Sequence, residues 1–300
     1  MGVEHFNKYP TNLLGAFKGN HMSRLISHNT LALATVSALL SLAITPAQAA
    51  NWSDTSVGMR YVSDQSEPGV TDSVSKNVMT FTHVSGDNLG SNFFTIDLLK
   101  SSSIDPSNKG PGGAQEWYGF YKRSFSLSAL TGNKGGYGVA KDLSLIARFD
   151  AGTKNTTFAP APRKVRLGLS AAMPVTAGFW DVGVEVMKES NHNGIVGKDV
   201  KFSSAPVFTT AWAVAMGPGS FTGFLDIVGA KGKDGFGDET KAETLGRALY
   251  MFDIGGAKSG FKAGAGVEYW NNKFGCNNAK SFVKNSCTAT TPVMLVEYHM

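Results

Sequence analysis

The sequence is poor in charge. Asp, Glu, Lys and Arg make up 17% of its 300 residues, below the roughly 25% usual for soluble domains. Its basic residues are scattered, with no run or stripe that could track a phosphate backbone, so a nucleic-acid partner is not expected. Cysteine is nearly absent, with only Cys276 and Cys287. Two thiols without further ligands close by do not make a zinc site. Long apolar runs are also missing beyond the first fifty residues, which leaves no candidate for a membrane helix there.

The N-terminal segment does carry one apolar stretch, Thr30 to Ile44, preceded by Arg24 and followed by Ala47-Gln48-Ala49. A basic start, a short apolar core and a small-x-small site predict a cleaved export signal ending at Ala49, with Met22 as the expected true start and 1–21 as an over-extended one. Export to an oxidising compartment predicts a local disulfide between Cys276 and Cys287. Residues 50–300 then form the functional domain.

What the remainder has in abundance is glycine, 35 residues in all, and period-two alternation. In 141–150, Leu143, Leu145, Ala147 and Phe149 alternate with Asp142, Ser144, Arg148 and Asp150. In 163–172, Val165, Leu167, Leu169 and Ala171 alternate with Lys164, Arg166, Gly168 and Ser170. In 180–189, Trp180, Val182, Val184 and Val186 alternate with Asp181, Gly183, Glu185 and Met187. Weaker versions occupy 54–63, 76–85, 91–100, 115–126, 204–215, 220–230, 243–253, 261–272 and 290–300, for twelve strands in total. Most are the length a tilted strand needs to cross a bilayer. The connections alternate long and short, apart from the fourth, over 127–140.

A soluble sandwich would carry Lys and Glu on its wet face. Here the polar faces interleave both charge signs with Gly and Ser, which suits the inside of a narrow lumen. The apolar faces then meet lipid, and lipid requires every backbone group to be bonded, so the sheet must close. The expected fold is an all-β, closed, antiparallel twelve-stranded transmembrane barrel with a polar lumen, in the outer membrane of a Gram-negative bacterium.

Parity assigns Arg60, Asp97, Glu116, Tyr118, Lys122, Arg148, Asp150, Lys164, Arg166, Asp181, Glu185, Asp226, Arg247, Asp253, Lys262, Glu268, Trp270 and Glu297 to the lumen, with Phe93, Phe120 and Phe224 as inward apolar company. As a solute path these supply charged rings and stacking faces for a flat ring, chiefly Tyr118 and Trp270, with hydrogen bonds from Asp97, Glu116 and Glu268. The plainer alternative is that the charges pair across the lumen and only hold the barrel together.

Several stretches carry a further resemblance. NWSDTSVGMRY, NFFTIDLL, GAQEWYGFYKRSFSLSALTG, EYWNNKFG and the final VEYHM resemble the Tsx-like outer-membrane channel superfamily, in its outer envelope or nucleoside-binding branch. The likeness covers essentially all of 50–300. It implies a monomeric twelve-stranded barrel, assembled through its C-terminal strand by the outer-membrane assembly machinery, that passes nucleosides and similar small polar solutes without cofactor, metal or chemistry.

Two other classes compete. A non-conducting barrel could bind a phage or host surface through its loops, of which 101–114 and 190–203 are long enough. An outer-membrane phospholipase could use Ser85 and His83 on one strand face, although no orienting third group is evident. The loop GAKGKDGFGDE lacks the Gly-Lys-Ser/Thr spacing of a phosphate-binding loop.

Overall fold

A computed structural model describes residues 50–300, apart from 257 and 282. The expected export signal, its cleavage after Ala49 and the start at Met22 lie outside the described residues.

Alternation becomes strand wherever the sequence shows it. The strands are β1 (Trp52–Gln65), β2 (Val74–Asp87), β3 (Gly90–Ser101), β4 (Gln115–Ser126), β5 (Asp142–Lys154), β6 (Arg163–Ala172) and β7 (Gly178–Asn193). They continue with β8 (Lys198–Lys201), β9 (Ala205–Met216), β10 (Gly219–Val228), β11 (Glu243–Ile254), β12 (Phe261–Asn271) and β13 (Ala289–His299). All pairings are antiparallel, and each strand of the ring pairs with two neighbours, β7 with β6 and β9, and β1 with β2 and β13. Twelve strands therefore close on themselves, and β8 stands outside the ring, bonded to β7 alone.

Closure is made by the first and last strands, in register from Ser56 opposite His299 to Val62 opposite Val293. Beyond the ladder, the Met300 N–H donates to the Thr55 carbonyl at 2.9 Å, and His299 Nδ1 lies 2.8 Å from Asp54 Oδ2. The strand that ends the chain is thus held on both edges by backbone, and its Met294, Val296 and Tyr298 face outward.

The two faces of the wall reverse the soluble pattern. On β6, Arg166 is 3% exposed and its neighbour Leu167 is 57% exposed. Leu145, Phe149, Val165, Val184, Val186, Met294 and Val296 are exposed in the same way around the ring. Toward one end the outer face becomes aromatic at Trp180, Phe221, Phe252, Phe261 and Tyr298, and toward the other at Tyr61, Trp117 and Tyr269. An apolar belt flanked by two aromatic girdles on a closed ring of strands is the wall of a membrane barrel. The protein is an integral outer-membrane β-barrel.

One end carries the short turns 88–89, 173–177, 217–218 and 255–260, together with the chain end Met300. Short turns mark the periplasmic side of such barrels, and the opposite end, with 66–73, 102–114, 155–162, 194–204, 229–242 and 272–288, is the outer side. The fourth connection, 127–141, is the long periplasmic exception. It holds a one-turn helix, α1 (Leu127–Thr131), capped by the Ser126 hydroxyl, which accepts from Ala129 N at 3.0 Å, and ended by left-handed Gly132 at φ 73°.

Two expectations need correction. The stretch 190–203, expected as an open loop, is partly strand: β7 runs on to Asn193 and pairs with β8, so the hairpin rises past the membrane wall. Its sequence, SNHNGIVGKDVK, alternates poorly because neither face there meets acyl chains. The lumen, expected to be polar, also contains apolar packing. Val62, Val78, Leu249, Met251 and Val293 are buried together on the inner face of β1, β2, β11 and β13, and Met187, Ala205, Val207 and Val228 form a second cluster on β7, β9 and β10. The inner glycines Gly264 and Gly266 of β12 make room for the first: a Cβ on either would run into the backbone of β11 and, at Gly264, into Met251. A barrel of this size leaves more space than side chains alone must fill in an eight-stranded one, and these clusters take up part of it.

Candidate functional site

The inner face holds three tiers of ionisable groups, and the outermost begins with a turn. Glu67-Pro68-Gly69-Val70 is a reverse turn in which Val70 N–H donates to the Glu67 carbonyl at 2.9 Å. Proline sits at its second position and Gly69, at φ 84°, at its third, the residues a type II turn demands. The turn sends the Glu67 side chain down into the barrel mouth. There Lys76 Nζ of β2 lies at 2.6 Å, Lys273 Nζ of the loop after β12 at 2.8 Å and Lys154 Nζ of β5 at 3.1 Å. Lys154 also reaches Asp105 at 2.7 Å, and Lys76 reaches Glu116 at 3.2 Å. Three lysines thus meet three carboxylates, and the desolvation each charge suffers is matched by partners. Burial alone would raise the Glu67 carboxyl, but Lys273, Lys76 and Lys154 hold it well below the ordinary carboxylate range. Burial keeps the Lys273 ammonium below the usual lysine value in spite of Glu67.

Two contacts fix Lys273. Its backbone N–H donates to the Cys287 carbonyl at 2.9 Å, and Cys287 is joined to Cys276 by the expected disulfide. Its ammonium lies 4.3 Å from the centre of the Trp270 ring. The same loop touches the first one directly, Gly69 N–H donating to Ser286 Oγ at 3.2 Å.

The middle tier belongs to the wall. Arg60 on β1 reaches Asp97 on β3 at 2.8 Å, and Thr80 donates to the same carboxylate at 2.6 Å. Arg247 and Glu268, opposite each other on β11 and β12, are joined at 2.9 Å, and Gln65 donates to Glu268 at 2.9 Å. On the far side Arg148 of β5 and Arg166 of β6 stand directly opposite in register. Two like charges there require an anion between them. Asp150 takes Arg148 at 2.8 Å, and Asp226 of β10 takes Arg166 at 3.0 Å and lies 3.8 Å from Arg148. Glu185 lies 3.5 Å from Arg166.

The innermost tier is looser. Phe93 and Phe120 stack with centroids 5.3 Å apart and planes 13° apart, and Arg148 lies 3.6 Å over Phe120. Arg247 lies 5.4 Å from the centre of Phe224. Lys122 and Asp181 face the same space, and neither is in an ion pair among the described residues. Asp253 and Lys262 pair at 2.9 Å beside the periplasmic mouth.

Every residue assigned to the lumen by parity lies on the inner face, and most of the ionisable ones are bonded there to a neighbour. Tyr118 donates to Asp150 at 2.5 Å, and Lys164 lies 5.6 Å from its ring. Trp270 donates to Glu243 at 2.7 Å beneath Lys273. Asp97, Glu116 and Glu268 all hold cations. Trp117, Trp180 and Trp212 face outward. Sequence reasoning missed Glu67, Lys76, Asp105, Lys154 and Lys273, because they sit in connections or at strand ends, where parity gives no direction. The Pro-Gly turn was the signal that could have exposed Glu67.

The proposed nucleophile pair does not meet. His83 and Ser85 lie on the outer face of β2, where His83 Nδ1 is 2.8 Å from Thr55 Oγ1 and Ser85 is approached by Asn92 at 3.5 Å. In the loop GAKGKDGFGDE, Lys231 is committed to Glu189 at 2.6 Å.

The spans of these pairs differ. Wall-to-wall pairs join adjacent or nearby strands and reach at most from β5 to β10, along one side of the ring. Lys154 on β5 and Lys273 after β12 stand on opposite sides, and Glu67 joins them. Among the described residues, the ionic link across the full width of the barrel is made by a loop.

No protein-family model and no curated protein matches the chain. Among solved structures it is similar to the translocator domain of the autotransporter NalP from Neisseria meningitidis, at 10% identity over 90% of this chain and 97% of that one, with a TM-score of 0.44. It is also similar to the outer membrane protein OpdK from Pseudomonas aeruginosa, at 10% identity over 84% of this chain and 99% of that one, with a TM-score of 0.27. Likeness at this level does not bear on function.

Proposed function

We propose that the barrel is an outer-membrane channel for passive diffusion of small polar solutes, held closed at its outer mouth by Glu67. The observation that carries this is the span of the ion pairs. A permanent plug would be built into the wall, but here the crossing link hangs on one loop carboxylate, which can withdraw without breaking a strand pairing. The wall pairs hug the perimeter in two arcs, Arg60–Asp97 with Arg247–Glu268 on one side and Arg148–Asp150 with Arg166–Asp226 on the other. Both charge signs line each arc, which favours neutral or zwitterionic solutes over strong ion selection. The stacked pair Phe93–Phe120 and Phe224 give the lumen an aromatic lining that suits solutes with a flat ring, while Lys273 covers Trp270, and nucleosides are the leading class, as the resemblance to the Tsx-like family implies. No chemistry is assigned to the barrel.

Proteoliposomes carrying the barrel with Glu67→Gln, which opens the mouth, loaded with buffer and diluted into nucleoside, test the substrate class. The expected result is uptake that an equal concentration of a sugar of similar mass does not match, reduced several-fold by Phe120→Ala. Equal uptake of both solutes, unchanged by Phe120→Ala, would remove the nucleoside assignment and leave a general channel.

A further inference from the structure

Above the apolar wall of β6 and β7 the outer face turns basic. Arg163 on β6, Lys188 on β7 and Lys201 on β8 share the outward parity of Val165, Leu167, Val184 and Val186. Ser190 lies between them: it stands opposite Arg163 on one side and opposite Lys201 on the other, and Lys188, two residues back on β7, stands opposite Val165. Neighbours in such a register are about 5–8 Å apart, so three cations surround one hydroxyl within the reach of a single phosphorylated group. All three are exposed, and none is in an ion pair or side-chain hydrogen bond among the described residues. The acids nearby are engaged elsewhere. Glu189 points inward to Lys231 at 2.6 Å, and Asp199, outward on β8, has His192 at 2.8 Å. Lys100, outward near the same end on β3, donates to the Gly113 carbonyl at 2.5 Å.

The position decides the ligand. The cluster sits directly on the exposed Val165, Leu167, Val184 and Val186, so whatever binds it also rests on a surface that meets acyl chains. β8 lies outside the ring and is not needed to close it, yet its pairing with β7 is what sets Lys201 beside Ser190. We propose that Arg163, Lys188 and Lys201 form a site for the phosphorylated headgroup of an anionic lipid in the outer leaflet. The two lysines and the forked guanidinium take the phosphate oxygens, the Ser190 hydroxyl donates a hydrogen bond, and the chains lie along β6 and β7.

Native mass spectrometry of the folded barrel in neutral detergent, titrated with phosphatidylglycerol, tests this, since each bound lipid shifts the mass. The wild type is expected to retain a bound lipid at concentrations where phosphatidylcholine leaves none. R163Q/K188Q/K201Q should weaken retention at least tenfold, and K201Q alone, which changes a strand outside the ring, several-fold. Retention unchanged in both variants would overturn the site. Displacement of the lipid by millimolar inorganic phosphate would also overturn it, by making the cluster a site for soluble anions.

Discussion

Glu67 and Lys273 are separated by most of the chain, yet their side chains meet at 2.8 Å, joining the loop after β1 to the loop after β12 over the barrel mouth. Because the Glu67 carboxyl is held well below its ordinary value by Lys273, Lys76 and Lys154, the sign of its pH dependence is fixed. A depressed carboxyl contributes its full stabilisation above the free value of about 4.3 and loses it only as pH falls through the depressed one. Conductance of the wild type in planar bilayers should therefore stay at its neutral level down to about pH 4 and rise only in stronger acid. A rise between pH 7 and pH 5 would contradict the pairing.

The Cys276–Cys287 bond closes a small loop that carries the carbonyl holding Lys273 in place. Chain entropy alone gives such a loop about 2–3 kcal/mol. C276S/C287S should lower the urea midpoint of the barrel in detergent by a corresponding amount and raise conductance through a looser Lys273. A loss of stability with no change in conductance would separate the disulfide from the closure.

Asp226 is the anion that lets Arg148 and Arg166 stand opposite each other. Asp226→Asn leaves Arg166 buried with only Glu185 nearby, at 3.5 Å, and should cost about 3–5 kcal/mol in urea unfolding. The double variant Asp226→Asn with Arg166→Met should recover most of that loss, since it removes the unpaired charge together with its partner.

Gly266 faces inward where β12 presses on Ala248 and Leu249 of β11. Gly266→Val puts a branched side chain into that contact and should destabilise by at least about 2–3 kcal/mol. The expected readout is loss of the compact, unheated band on a gel, whereas Gly69→Ala, in a turn open to solvent, should leave that band unchanged and raise conductance by straining the turn that aims Glu67.

The strands and the inner face were legible because a lipid-facing wall forces strict alternation. Leu167 beside Arg166 declares its side whatever the neighbours do. The inner apolar clusters were hidden for the same reason: Val62 and Val293 lie inward by parity, but an apolar residue facing inward looks like a break in the pattern until its partners across the ring are known. Glu67 and Lys273 were illegible because connections have no period, and their pairing depends on how two loops fold over one mouth. The β7–β8 hairpin was missed because strands that rise above the acyl chains lose the apolar surroundings that enforce alternation.

Planar-bilayer recording of Glu67→Gln against wild type tests closure by a loop carboxylate most directly. The substitution keeps the shape and removes the charge, leaving Lys76, Lys154 and Lys273 to repel one another at the mouth. The expected result is a wild type that is mostly closed at neutral pH and a variant that is open several times more often, with an unchanged unheated gel band and a current that nucleoside partly blocks. A folded variant as closed as the wild type would contradict the account, and the loops would then have to act in some other way than as a gate.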